Sequence, residues 1–136
     1  MRGQTASAGF QIGVRRTYPI SPERAWAFLL SPEGLKLWLG ELSQLELQAG
    51  HRYTTEEGTT GELRVVNPVR QLRMTWQPKG WEQHSTLQIR LIPSSSDPEK
   101  TTISFHQEKL RDAHAREAMK RRWEEVAAGI MEKVTD

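Results

Sequence analysis

Cysteine is absent from these 136 residues. That one absence excludes disulfides, thiolate nucleophiles and thiolate metal ligands together, and it fits a reducing cytosol. Long apolar runs are missing too: the longest, Ala25 to Leu30, falls far short of the roughly 20 residues needed to span a bilayer. Met1 to Gly9 carries one Arg and then small polar residues with no apolar segment behind them, so it reads as a frayed, disordered tail and not as a signal peptide. A soluble, cytoplasmic protein without a membrane span is expected, with one domain over residues 10–136. A chain of this size buries roughly two-thirds of its unfolded surface in a single core.

Imidazoles are scarce. His51, His84, His106 and His114 stand at no metal-ligand spacing and in no His-Glu-x-x-His pattern, so neither a metal nor a cofactor is expected and all four are read as surface residues. His106 follows Phe105 and therefore points away from the face that Phe105 occupies. The chain also lacks a Gly-x-Ser-x-Gly elbow and a phosphate-binding glycine loop, which removes the usual signatures of nucleophilic hydrolysis and nucleotide binding. Neighbouring carboxylates such as Glu56-Glu57 and Glu124-Glu125 project to different sides of their elements and cannot share general acid/base work. Nor is charge concentrated, since the net value is +2. The one basic cluster, Lys120-Arg121-Arg122, sits in a segment where Arg116, Lys120, Arg121, Arg122 and Lys133 are balanced by Asp112, Glu117, Glu124, Glu125 and Glu132. A solvated helix face is expected there, with no nucleic-acid partner.

What the chain does have is clear periodicity. Phe10, Ile12 and Val14 alternate with Gln11, Gly13 and Arg15, the pattern of a strand with one buried face. Ser21-Pro22-Glu23 then supplies a capping hydroxyl, a proline preset for the first helical turn and a carboxylate at the positive end of the helix dipole. Ser31-Pro32-Glu33 repeats that start signal ten residues later, and Gly40 is placed to end the second helix. From Leu42 to Lys109 the period returns to 2, in Leu45/Leu47, Leu63/Val65, Leu72/Met74/Trp76, Leu87/Ile89/Leu91 and Ile103/Phe105, with Arg52 to Glu56 as a further strand. Short turns between these runs imply an antiparallel meander, giving seven strands in all. Ala115, Met119, Trp123, Val126, Ile130 and Val134 then recur every three or four residues, the stripe of a long helix capped by Asp112. Gly129 within it suggests that a neighbour approaches its backbone.

The run Ile20-Ser21-Pro22-Glu23-Arg24-Ala25-Trp26, followed by Ser31-Pro32-Glu33-Gly34-Leu35-Lys36-Leu37-Trp38-Leu39, resembles the opening of the activator of heat-shock-protein-90 ATPase homologue family. Gly61 to Pro68, Leu72 to Trp76, Thr101-Thr102-Ile103 and Trp123 are similar to later blocks of that family, so the likeness extends from about Gln11 to Val134. The resemblance implies the helix-grip fold of the START-like (SRPBCC) superfamily. This is an α+β architecture in which a seven-stranded antiparallel sheet curls around a long C-terminal helix, with two short helices between the first two strands and a cavity between sheet and helix.

On that fold, Trp38, Tyr53, Leu63, Met74, Trp76, Leu87, Ile89, Phe105, Met119 and Trp123 are expected to converge on the cavity as its lining. Nearly uncharged, and softened by two methionines, such a lining suits a small hydrophobic or aromatic molecule. Trp26, Trp38, Trp76 and Trp123 each fall on a buried stripe, whereas Trp81 either closes the mouth or rests on the surface. The expected function is non-enzymatic binding of such a molecule. Two alternatives stand beside it: a co-chaperone-like module that binds the heat-shock-protein-90 chaperone, and an aromatase/cyclase-type enzyme using Tyr53 with His51.

Overall fold

The computed structural model describes residues 4–5, 9–42 and 45–135. The first strand, β1 (Gly9–Tyr18), leads into α1 (Pro22–Leu30) and α2 (Pro32–Trp38). After them come β2 (Arg52–Thr54), β3 (Thr60–Asn67), β4 (Gln71–Trp76), β5 (Ser85–Pro93) and β6 (Thr101–Leu110), and the described chain closes with α3 (Ala113–Val134). The strands pair antiparallel in the order β1-β6-β5-β4-β3-β2, and the two-residue segment Gln4–Thr5 pairs with the outer edge of β1. The last strand thus docks on the first, and the hairpin of α1 and α2 fills the long connection between β1 and β2.

Among the described residues there are six strands besides the two-residue segment Gln4–Thr5, and the expected strand at Leu45/Leu47 is not one of them. Leu45 to Leu47 is irregular chain, with Leu45 buried and Leu47 exposed. Their alternation is that of a strand, but they pair with no strand, and the sheet ends at β2, which itself stops at Thr54 and not at Glu56. A second difference lies in β3. Leu63 faces Met74 but Val65 faces Arg73, so one residue of β3 is left over, and this bulge turns Val65 to the outer face. A bulge also interrupts β6, where Glu108 and Lys109 (φ 63°) separate the inward Gln107 and Leu110.

Both Ser-Pro-Glu signals start helices. Ser21 Oγ accepts from the Arg24 N–H, and Ser31 Oγ accepts from the Gly34 N–H at 3.1 Å. Ser31 serves both helices, because its hydroxyl also donates to the Phe28 carbonyl at 2.6 Å. The second helix ends at Gly40, whose φ is 148° and whose N–H returns to the Leu35 carbonyl. Asp112 caps α3, accepting the Ala115 N–H at 2.8 Å, and those bonds hold its carboxyl below the usual carboxylate range. Tyr18 ties β1 to the middle of α3 through its hydroxyl and the Ala127 carbonyl, 2.8 Å apart. Burial pushes this phenol up to about 12, with the Arg16 charge opposing. Gly129 does have a close neighbour: a Cβ there would lie 3.4 Å from Leu37 of α2, an ordinary contact.

Candidate functional site

Nine of the ten expected lining residues are buried: Trp38, Tyr53, Leu63, Met74, Trp76, Leu87, Ile89, Phe105 and Trp123 belong to one core, and half-buried Met119 packs against it. Seven of the ten come from the strands, Trp38 from α2, and Met119 and Trp123 from α3, and together they pack into one core. Phe105 stacks on Trp123 with centroids 5.1 Å apart and planes at 9°, and Trp76 meets Trp123 at 6.0 Å. Two shallow concavities lie elsewhere, on the outer sheet face: one beside Arg15, Arg16, Thr17, Ile92 and Thr102, the other beside Arg64, Arg73, His84 and Lys109. In place of an open cavity, three indoles and a phenyl ring pack directly on one another, because rings this large close the gap that smaller side chains leave.

Polar groups run through this packing. Trp123 Nε1 donates to Gln107 Oε1 at 2.8 Å, Gln107 Nε2 donates to Ser85 Oγ at 2.8 Å, and Ser85 Oγ donates to the Trp76 carbonyl at 2.9 Å. Gln107 and Ser85 are fully buried. They went unmarked in the sequence because polar residues default to the surface. Two-residue alternation from Ile103 and Phe105 does reach Gln107, and it was the available signal.

Arg122 is a third residue whose burial the sequence does not signal. It is no part of a solvated cluster: Lys120 and Arg121 are exposed, but Arg122 is half buried. Its guanidinium lies 5.1 Å from the Trp76 ring centroid and 5.2 Å from that of Trp123, within cation–π range of both. Its Nη2 donates to the Trp38 carbonyl at 2.9 Å. Burial pulls its pKa below the usual guanidinium value, and the charge of Glu57 opposes this. Glu57 is itself held at the neighbouring turn, where its carboxylate accepts the Glu41 N–H at 2.9 Å. Those backbone bonds lower its pKa.

Trp81 covers the end of this cluster. It sits in the β4–β5 loop, half buried, with its ring edge-on to Trp76 at 5.5 Å and 84°. Gln77 Nε2 donates to its carbonyl at 2.7 Å. Trp38 anchors the helical hairpin, donating from Nε1 to the Leu29 carbonyl at 2.8 Å. Trp26 is only half buried.

Tyr53 is committed to structure. Its hydroxyl donates to the Thr75 carbonyl at 2.6 Å, and burial raises its pKa well above the ordinary phenol value. His51 faces Glu46 at 3.4 Å, and no hydrogen bond joins it to Tyr53 among the described residues. His106 points away from Phe105 and meets Gln11 at 3.1 Å; His84 and His114 are exposed. Among the described residues, no three His, Asp or Glu side chains gather as a metal site, and no helix is long and apolar enough to cross a membrane.

An antiparallel sheet folded against a long terminal helix, with a helical hairpin after the first strand, defines a helix-grip protein. The chain belongs to the activator of Hsp90 ATPase homolog 1-like family, whose sequence profile matches residues 19–135. Among solved structures it is similar to protein MLL2253 of Mesorhizobium loti, with a TM-score of 0.76 and 22% identity over 92% of this chain and 96% of that one. It is also similar to PFC0360w, an HSP90 activator from Plasmodium falciparum, with a TM-score of 0.71 and 18% identity over 85% of this chain and 88% of that one. A third likeness is to CalU16 of Micromonospora echinospora, with a TM-score of 0.70 and 16% identity over 93% of this chain and 78% of that one. At these identities the structural likenesses establish the fold. No curated protein matches in sequence.

Proposed function

We propose that this chain is a non-enzymatic binding protein that holds a small aromatic or hydrophobic molecule between Trp76, Trp123 and the loop carrying Trp81. The observation that supports this most is the way Trp81 covers Trp76. Every other indole of the cluster is locked into the core, but Trp81 rides on the tight turn Pro78 to Trp81, closed by its N–H on the Pro78 carbonyl at 3.1 Å. That turn contains Gly80 at φ 93°, with open space around the position of a Cβ. Moving such a loop breaks few contacts and leaves the sheet ladder intact. Once Trp81 lifts, the part of Trp76 it packed against is open to an aromatic guest, which replaces one edge-to-face contact with another.

A thermal-shift panel of aromatic metabolites and lipids tests this. A ligand present at a hundred times its dissociation constant adds about 2.7 kcal/mol to the folded state, which for a domain of this size raises the melting temperature by at least about 5 °C. Trp81→Ala is expected to speed association with the same ligand while lowering the melting temperature of the free protein by only a few degrees, the cost of one ring contact worth about 0.5–1.5 kcal/mol. A panel in which nothing shifts the transition, with Trp81→Ala as inert as the parent, contradicts the proposal.

A second reading, a co-chaperone-like module, draws support from the family and from the outer sheet face. That face exposes Arg15, Arg64, Arg73, Arg90 and Lys109 around open concavities of about 430 and 300 Å³. Arg64 and Arg73 are paired there with Glu62 and Glu108, but Arg15, Arg90 and Lys109 take part in no ion pair among the described residues, and a shallow surface of net positive charge suits an acidic protein partner. Micromolar binding to the ninety-kilodalton chaperone that weakens about tenfold or more in an Arg15→Glu, Arg90→Glu double variant is the expected result under this reading. No association at that concentration removes it.

A further inference from the structure

We infer that the molecule held at the Trp76–Trp81–Trp123 cluster carries a carboxylate or a similar oxygen anion, received by Arg122 and Trp76. This deepens the ligand-binding reading above and rests on it. Two buried side-chain nitrogens in the described structure have no hydrogen-bond partner, Trp76 Nε1 and Arg122 Nε. Trp76 is 2% exposed, so its indole N–H has no route to bulk solvent. Both groups are donors only, so an acceptor alone can satisfy them. A purely hydrocarbon guest would leave both unpaired, at the cost that makes buried orphan donors rare.

The two orphans belong to one place, because the guanidinium of Arg122 lies over the Trp76 ring. The charge on Arg122 feels that of Glu57 but is not paired with it. Among the described residues it takes part in no ion pair, and its one hydrogen bond goes to the neutral carbonyl of Trp38. Arg116 on the same helix shows the contrast, with its guanidinium on Glu117 Oε1 at 2.9 Å and on the Gln11 carbonyl at 2.8 Å. A half-buried cation flanked by indole faces, with one N–H unspent beside a second unspent donor, is a receptor for an anionic oxygen attached to an apolar body. The rings take the body by edge and face contacts, and the paired donors fix its polar end. A small aromatic acid meets both demands.

Isothermal titration of the intact protein with 2-naphthoate and with methyl 2-naphthoate tests this, since the two probes share their rings and differ in the charge on oxygen. The acid is expected to bind about tenfold tighter than the ester or better, the factor that a charge-assisted hydrogen bond supplies. Arg122→Met is expected to abolish that preference. Trp76→Phe, which keeps an aromatic ring and removes the N–H, is expected to reduce it. Equal affinity for the two probes, or a tighter ester, overturns the anion assignment while leaving the ligand-binding reading intact. An undiminished preference for the acid in Arg122→Met overturns the assignment to Arg122. Binding of neither probe overturns both. If Arg122→Met fails to fold, the comparison of acid with ester on the parent protein still decides.

Discussion

Trp123→Ala is expected to lower the unfolding free energy by about 3–5 kcal/mol, the range for removing a large buried aromatic, measured by urea denaturation with an unchanged slope. The ring is fully buried, stacked on Phe105 and tilted against Trp76. Removing it also leaves Gln107 Oε1 without the donor it has in the core. Trp123→Phe separates these two effects. Phenylalanine keeps most of the stacking area but has no N–H, so the remaining loss, about 1–3 kcal/mol, measures the orphaned amide oxygen together with a smaller packing defect. Combining it with Gln107→Leu removes the orphan. The double variant is expected to be more stable than the sum of the single losses, with a coupling of about 0.5–3 kcal/mol. If Trp123→Phe matches the parent, the buried Trp–Gln–Ser chain contributes nothing to stability.

Gly34→Ala is expected to cost about 3 kcal/mol or more, the high end for overpacking a rigid site. Helix propensity alone points the other way, since alanine is better than glycine in a helix by about 1 kcal/mol. The difference is geometric. A Cβ at residue 34 would collide with the carbonyl group of Phe28 and stand 3.0 Å from the Cα of Leu29, all of it backbone of α1. No rotamer change relieves such a clash, and Ser31 bonds both helices so closely that they cannot simply separate. Gly129→Ala is the internal control. Its added methyl group would meet only Leu37 side-chain carbons, at 3.4 and 4.0 Å, so a neutral result or a gain of up to about 1 kcal/mol is expected in thermal or chemical denaturation. Comparable losses at both positions would show that packing of the hairpin does not distinguish them.

The contrast between these glycines marks what the sequence makes legible and what it does not. The two Ser-Pro-Glu starts, the Asp112 cap, the stripe of α3 and the two-residue alternation of β4, β5 and β6 are local codes, and each is found where the sequence puts it. The family resemblance likewise holds, with the sequence profile covering residues 19–135. Leu45 and Leu47 carry the strand code but pair with no strand, and Val65 keeps its alternation while a bulge beside it reverses its face. Pairing partners decide both outcomes, and a single sequence does not name partners.

The site divides along the same line. Its aromatic residues were legible because large apolar side chains at core spacing are buried almost regardless of detail. Gln107, Ser85 and Arg122 were not, because each is a polar residue whose burial depends on a specific partner from another element: Trp123, Gln107 and the Trp76–Trp123 pair respectively. An open cavity was implied by the fold, but its volume depends on how fully four aromatic rings close on one another. Trp81 illustrates the point most directly. Its loop position left two roles open, and only the distance to Trp76 distinguishes a cover from a bystander.

The claim that this cluster receives a ligand is tested most directly by following the five indole N–H resonances of ¹⁵N-labelled protein during titration with 2-naphthoate, one resonance for each tryptophan of the chain. Binding as described shifts the signals of Trp76, Trp81 and Trp123 together and saturably, while that of Trp26, on α1 outside the cluster, stays in place. A titration in which those three signals do not move, or in which only backbone amides near Arg15 and Arg90 on the outer sheet face respond, contradicts the account.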